Sequence, residues 1–124
     1  MFKYGVLVLG VALLGGCVSA QTTLNREPMI ERLAGNQEAV ASCIYLGLEK
    51  DYSDGLRMVE LKGAGTTRIY NEIGVAQNTR MFDLALVQEQ PETVRVEIRG
   101  LPTVFGGQYW ENRILPIVQS CARS

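Results

Sequence analysis

Four times between residues 56 and 99 the chain reads as a strand, and each time turn-forming residues end it. The cleanest instance is 93–99, where Val94, Val96 and Ile98 alternate with Arg95, Glu97 and Arg99. An extended strand, whose successive side chains point to opposite faces, sorts those residues into one apolar and one charged face. Residues 56–62 read as a strand closed by Gly63-Ala64-Gly65. Residues 66–76 alternate Thr67, Ile69, Ile73 and Val75 against Arg68, Tyr70 and Glu72, with Asn71 intruding on the apolar side. Residues 80–88 are apolar on both faces, as a central strand is. Gln77-Asn78-Thr79 and Glu89-Gln90-Pro91-Glu92 supply the remaining turns. Strands at such short spacing predict an antiparallel meander.

Helical periodicity flanks this block. Asn25 can cap a helix with Glu27 and Pro28 in its first turn, which places Met29, Ile30 and Leu33 on one side. Gly35-Asn36 then interrupts the pattern, and Asn36 either recaps a second segment or lies inside one long, broken helix. Beyond it, Val40, Cys43, Ile44, Gly47 and Leu48 form an amphipathic stripe, so Cys43 is expected on the core side. Asp51-Tyr52-Ser53-Asp54-Gly55 ends the helix with turn chemistry. Near the C-terminus Ile114, Ile117, Val118 and Cys121 share a helical face, and Pro116 either kinks that helix or begins a new one. The expected fold class is α+β in the order α-β-β-β-β-α. It is a four-stranded antiparallel sheet with the N- and C-terminal helices packed on one face.

The N-terminus follows a different logic. Lys3 precedes an apolar run over residues 5–14, and Gly15-Gly16 leads into Cys17: charged start, greasy middle, small-residue cleavage site. The run is shorter than the ~20 residues that span a bilayer. The order Leu14-Gly15-Gly16-Cys17 resembles the lipobox of bacterial lipoproteins, an aliphatic residue, two small ones and cysteine. The resemblance covers about the first 18 residues. It implies cleavage between Gly16 and Cys17 and acyl chains, palmitate among them, on Cys17. Val18 rather than Asp after the cysteine implies, by the same resemblance, transfer to the outer membrane, with the protein facing the periplasm or cell surface. An ordinary cleaved signal, exiting at Val18-Ser19-Ala20, is the alternative. The chain divides into a signal peptide (1–16), a lipidated tether (17–24) and a single α+β domain (25–124).

Removing 16 of the 124 residues leaves 108, enough for one domain and not two. Lys3 leaves with the signal, so 11 basic side chains face 13 acidic ones. That balance gives no basic surplus for nucleic acid or anionic lipid, and lipid on Cys17 is the only membrane attachment expected. Positive charge rests on nine arginines against Lys50 and Lys62, and arginine suits carboxylate pairing and partner interfaces. With Cys17 acylated, Cys43 and Cys121 remain. An even pair in an exported domain is most simply a disulfide. The other readings are a reactive thiol pair or metal ligands, and a metal would need further ligands from a chain without histidine.

The absence of histidine also removes Ser-His and Cys-His nucleophile pairs, the usual general base and the usual metal ligand. Asp51 and Asp54 hint at a calcium loop, but Gly55 falls one place too early for the EF-hand pattern. Gly63-Ala64-Gly65 lacks the helix and Gly-Lys-Ser/Thr of a phosphate loop. No enzyme activity, metal or cofactor is expected. Val104, Phe105, Tyr109 and Trp110 bracket Gly106-Gly107 and are the candidate interface, since aromatic residues anchor partners at low entropic cost. They serve equally well to seal one end of the sheet. Strands 56–62 and 93–99, if at an edge, offer backbone groups to a partner strand. The expected function is a non-enzymatic outer-membrane lipoprotein docking onto an envelope protein or complex. In layout it is similar to the small accessory lipoproteins of envelope assembly and secretion machines. The alternatives are a periplasmic inhibitor or immunity protein that inserts residues 101–107 into a hydrolase or toxin, and a carrier of a small apolar ligand.

Overall fold

A computed structural model describes residues 20–74, 79–103 and 107–123. A short helix α1 (Ala20–Leu24) precedes strand β1 (Met29–Ala34) and the long helix α2 (Gln37–Tyr52). Strands β2 (Leu56–Leu61), β3 (Thr66–Ile73), β4 (Thr79–Gln90) and β5 (Thr93–Gly100) follow, and helix α3 (Tyr109–Gln119) comes last. All pairings are antiparallel, in the order β1-β5-β4-β3-β2. The α+β class with an antiparallel sheet is as expected, but the sheet has five strands, not four.

The additional strand lies where an N-terminal helix was expected. Residues 29–34 pair with β5, with Met29 opposite Ile98 and Leu33 opposite Val94. Met29, Ile30 and Leu33 suit a helical side, yet Met29 and Leu33 also sit four apart on one face of a strand. Glu31 between them masks the alternation. Helix formation begins after Asn36, whose side chain accepts a hydrogen bond from the Ala39 amide at 2.8 Å and so caps α2. Residues 20–24, expected in a tether, are helical instead. There Thr23 is fully buried and donates its hydroxyl to the Arg80 carbonyl at 2.6 Å.

One face of the sheet carries the core. Val94, Val96 and Ile98 of β5, Leu84 and Leu86 of β4 and Ile69 of β3 are all fully buried. They pack with Val40, Ile44 and Leu48 of α2 and with Ile114 and Val118 of α3, so both long helices cover the same face. Burying each such side chain contributes about 1.5–3 kcal/mol. The helices touch closely at Gly47, where a Cβ would lie 2.7 Å from Ile117 Cγ2. Gly55 is fixed by backbone, with φ +67 and a hypothetical Cβ 2.0 Å from the Glu72 carbonyl oxygen. Helix α3 runs through Pro116 without ending there. The strand expected at 66–76 ends at Ile73, where Gly74 takes φ +88, and residues 75 and 76 lie outside the described residues.

A disulfide joins Cys43 to Cys121 across 78 residues, with Cα atoms 5.7 Å apart. Cys121 is buried, but Cys43 is exposed and sits at the rim of the α2 stripe rather than on its core side. The bond therefore clamps the two helices from outside. Closing a loop of this length restricts the unfolded chain enough to be worth about 4 kcal/mol. A Cys43→Ser/Cys121→Ser variant is expected to lose about that much stability, read as a lower urea midpoint with a retained far-ultraviolet circular dichroism spectrum.

Candidate functional site

Of the residues singled out from sequence, Cys17, Val104 and Phe105 lie outside the described residues. Tyr109 and Trp110 open α3, and the structure gives them different roles. Trp110 stands edge-on to Tyr52 of α2 at 6.0 Å between ring centroids, and Tyr52 stands edge-on to the fully buried Phe82 at 5.6 Å. This chain of rings seals the junction of α2, α3 and β4. Tyr109 meets Trp110 edge-on at 5.1 Å but is 46% exposed, with the Arg113 guanidinium over its ring at 5.6 Å. Arg113 also donates to the Tyr52 hydroxyl at 3.2 Å. Trp110 thus belongs to the packing, and Tyr109 alone of this pair presents a ring to solvent.

Beneath the start of α3 lies a buried carboxylate that sequence reasoning passed over. Glu111 is 1% exposed, its Oε2 is 3.6 Å from Arg26 Nη2, and neither carboxylate oxygen has a hydrogen-bond partner. Arg26 also donates to the Gly107 carbonyl at 3.1 Å, while Arg99 donates to the Arg26 carbonyl at 2.8 Å. The stretch after α1 is therefore strapped to the end of β5 and the start of α3.

The more extensive arrangement is on the sheet face opposite the helices. The register there places Asp83 opposite Tyr70 and Arg99, and Ala85 opposite Arg68 and Glu97. Asp83 is fully buried, accepts from Arg68 at 2.8 Å and pairs with Arg80. A bulge between the Tyr70 and Glu72 pairings brings Arg80 back to this face, where its guanidinium stacks 3.7 Å over the Tyr70 ring. Asn71, the polar residue intruding on the apolar side of β3, meets the same bulge. Its side-chain oxygen accepts from the Met81 amide at 3.1 Å. A second chain of ion pairs runs from Arg32 to Glu89 (2.8 Å), Arg95 (2.8 Å), Glu97 (3.1 Å) and Arg99 (3.4 Å). The Glu89 carboxyl is held below the usual carboxylate range, first by its hydrogen bond from Arg32 and then by Arg95.

Among the described residues, three or more potential metal ligands nowhere gather into one group. The edges of the sheet are β1 and β2. Strand 93–99, considered as an edge from sequence, is instead enclosed by β1 and β4, whereas 56–62 is an edge as considered. No family model matches this chain, and neither the curated proteins nor the solved structures give a match.

Two substitutions separate packing from display. Trp110→Ala is expected to cost about 2–3 kcal/mol in urea unfolding, and Tyr109→Ala under about 1 kcal/mol. On the opposite face, Asp83→Ala leaves Arg68 and Arg80 without their shared carboxylate and is expected to cost about 3 kcal/mol by the same measurement.

Proposed function

We propose that the protein is a non-enzymatic outer-membrane lipoprotein whose single α+β domain faces the periplasm or the cell surface and docks onto an envelope protein or complex. The observation that carries this reading is the order Leu14-Gly15-Gly16-Cys17 after a short apolar run. Three acyl chains on Cys17 hold a protein stably at a bilayer, since each buried methylene contributes about 0.8 kcal/mol. The disulfide supports an oxidising compartment. Among the described residues no helix is long and apolar enough to cross a membrane, so lipid is the attachment this reading requires.

The strap at Arg26 fits the same role. With α1 and Arg26 bound to the body of the domain, Cys17 lies three residues before Ala20, the first residue of α1. A domain held so closely reaches partners in or on the membrane more readily than soluble ones.

The deciding experiment is mass spectrometry of the mature N-terminus from the membrane fraction. A triacylated Cys17 is expected, and Cys17→Ala is expected to abolish cleavage at Gly16 and acylation together. An unmodified N-terminus beyond Ala20 overturns the reading.

A further inference from the structure

The sheet face away from the helices has a charge pattern unlike the rest of the molecule. Its cations are Arg32, Arg57, Arg68, Arg80, Arg95 and Arg99, and its acids are Glu72, Asp83, Glu89 and Glu97. The face thus has a surplus of two positive charges, on a mature chain whose balance is negative. Asp83 is fully buried beneath the guanidiniums, whereas Arg32 is 58% exposed at its side chain. Arg57 is exposed on edge strand β2. Arg32 and Arg57 are therefore the accessible positive charges of this face, while Arg80 and Arg99, at 18% and 19%, are as covered as their carboxylate neighbours. Exposed apolar residues flank the arginine band on both edges, Ile30 on β1 and Val59 and Leu61 on β2.

From this pattern we infer that the open sheet face is the docking surface, and that its partner is a protein surface rich in carboxylates. The inference rests on the docking function proposed above and names the surface that performs it. All six cations are arginine, and both mature lysines, Lys50 and Lys62, lie outside this set. Arginine's planar fork matches carboxylates bidentately, and several of these forks are already fixed by Glu89, Glu97 and Asp83. Pre-organised donors lose less freedom on binding. A second copy is a poor occupant, because two such faces would oppose positive with positive. Anionic lipid is a poorer fit than protein, since its mobile headgroups hold no fixed carboxylates to meet guanidinium forks held at set positions. Five strands spaced about 4.8 Å apart and a β5 about 26 Å long give a face of roughly 500 Å2, the footing of a small, reversible contact.

The test uses the full chain in its native membrane, with a photo-crosslinking residue at Val59 on this face or at Leu46, which is 61% exposed on α2. Expected are adducts from position 59 and not from position 46, joined to a partner segment with an excess of Asp and Glu. Their yield should fall about tenfold in Arg32→Glu/Arg57→Glu, whose urea midpoint should stay near that of the parent because exposed pairs contribute little. Adducts from position 46 alone overturn the choice of face while leaving the docking function standing. Adducts from neither position overturn the docking function itself. Adducts from position 59 that ignore the charge reversal overturn the acidic partner. Stronger pelleting on phosphatidylglycerol than on phosphatidylcholine vesicles, abolished by Arg32→Glu/Arg57→Glu, overturns it in favour of a membrane surface.

Discussion

The packing of α2 and α3 against Val94, Val96 and Ile98 is the interaction on which the rest of the molecule depends. A chain this short can build two layers and no more, so one sheet face is buried and the other must face water. Helix α3 lies against β5 and α2 spans β2, β3 and β4. Neither helix covers the sheet alone, and the contact at Gly47 and the Cys43–Cys121 bond keep them side by side. The bond runs from the exposed Cys43 to the buried Cys121, so it fastens the rim of α2 to the core beside α3.

The wet face then has to be solved without apolar side chains. A flat, greasy sheet face would stack onto another, and alternating guanidinium and carboxylate groups prevent this. The solution needs Asp83 in the middle of the central strand, where burial penalises an unpaired charge. Arg68 and Arg80 supply both the counter-charge and the hydrogen bonds, and the stems of neighbouring long side chains shield Ala85, only 6% exposed. Glu89 is the wetter member of the system. Its depressed pKa means its pairing is present above the ordinary carboxylate range and is lost as pH falls through the lowered folded value. The pairing at Glu89 is thus complete at neutral pH and weakens in acid.

How far this was legible in sequence depended on period. The alternation at 93–99 gave both faces of β5, and the 3.6-residue stripe from Val40 to Leu48 gave α2. Strand β1 was hidden because six residues fit either period and Glu31 interrupts the apolar set. Asn71 looked like an error in a strand until a bulge in the neighbouring strand supplied the amides it accepts from. That bulge, which returns Arg80 to the same face as Asp83, is a property of two strands together, and no single-strand pattern contains it. Cys43 shows the limit of the helical wheel. Val40, Ile44 and Leu48 are buried as the stripe implies, but Cys43, beside them on the wheel, is exposed at the rim. Arg68, Arg95 and Arg99 were legible as outward-facing, but Arg32 lay in an expected helix, and the burial of Asp83 required knowing that β4 is central.

Attachment and recognition are linked by the region after α1. If Cys17 is acylated, the two residues between it and Ala20 span at most about 10 Å when extended. Thr23 binds the start of β4 and Arg26 binds the end of β5 and the start of α3, so the chain from α1 onward is fixed to the sheet. A freely tethered domain would sample all orientations and present its arginine face to the membrane about as often as to a partner. A strapped one has its orientation restricted by the same contacts that fold it. The buried Glu111 is then more than a residue tolerated in the core. With Arg26 at 3.6 Å, it is the charge that holds the strap at the helical end. Its burial ties the stretch after α1 to the integrity of α3, and through the disulfide to α2.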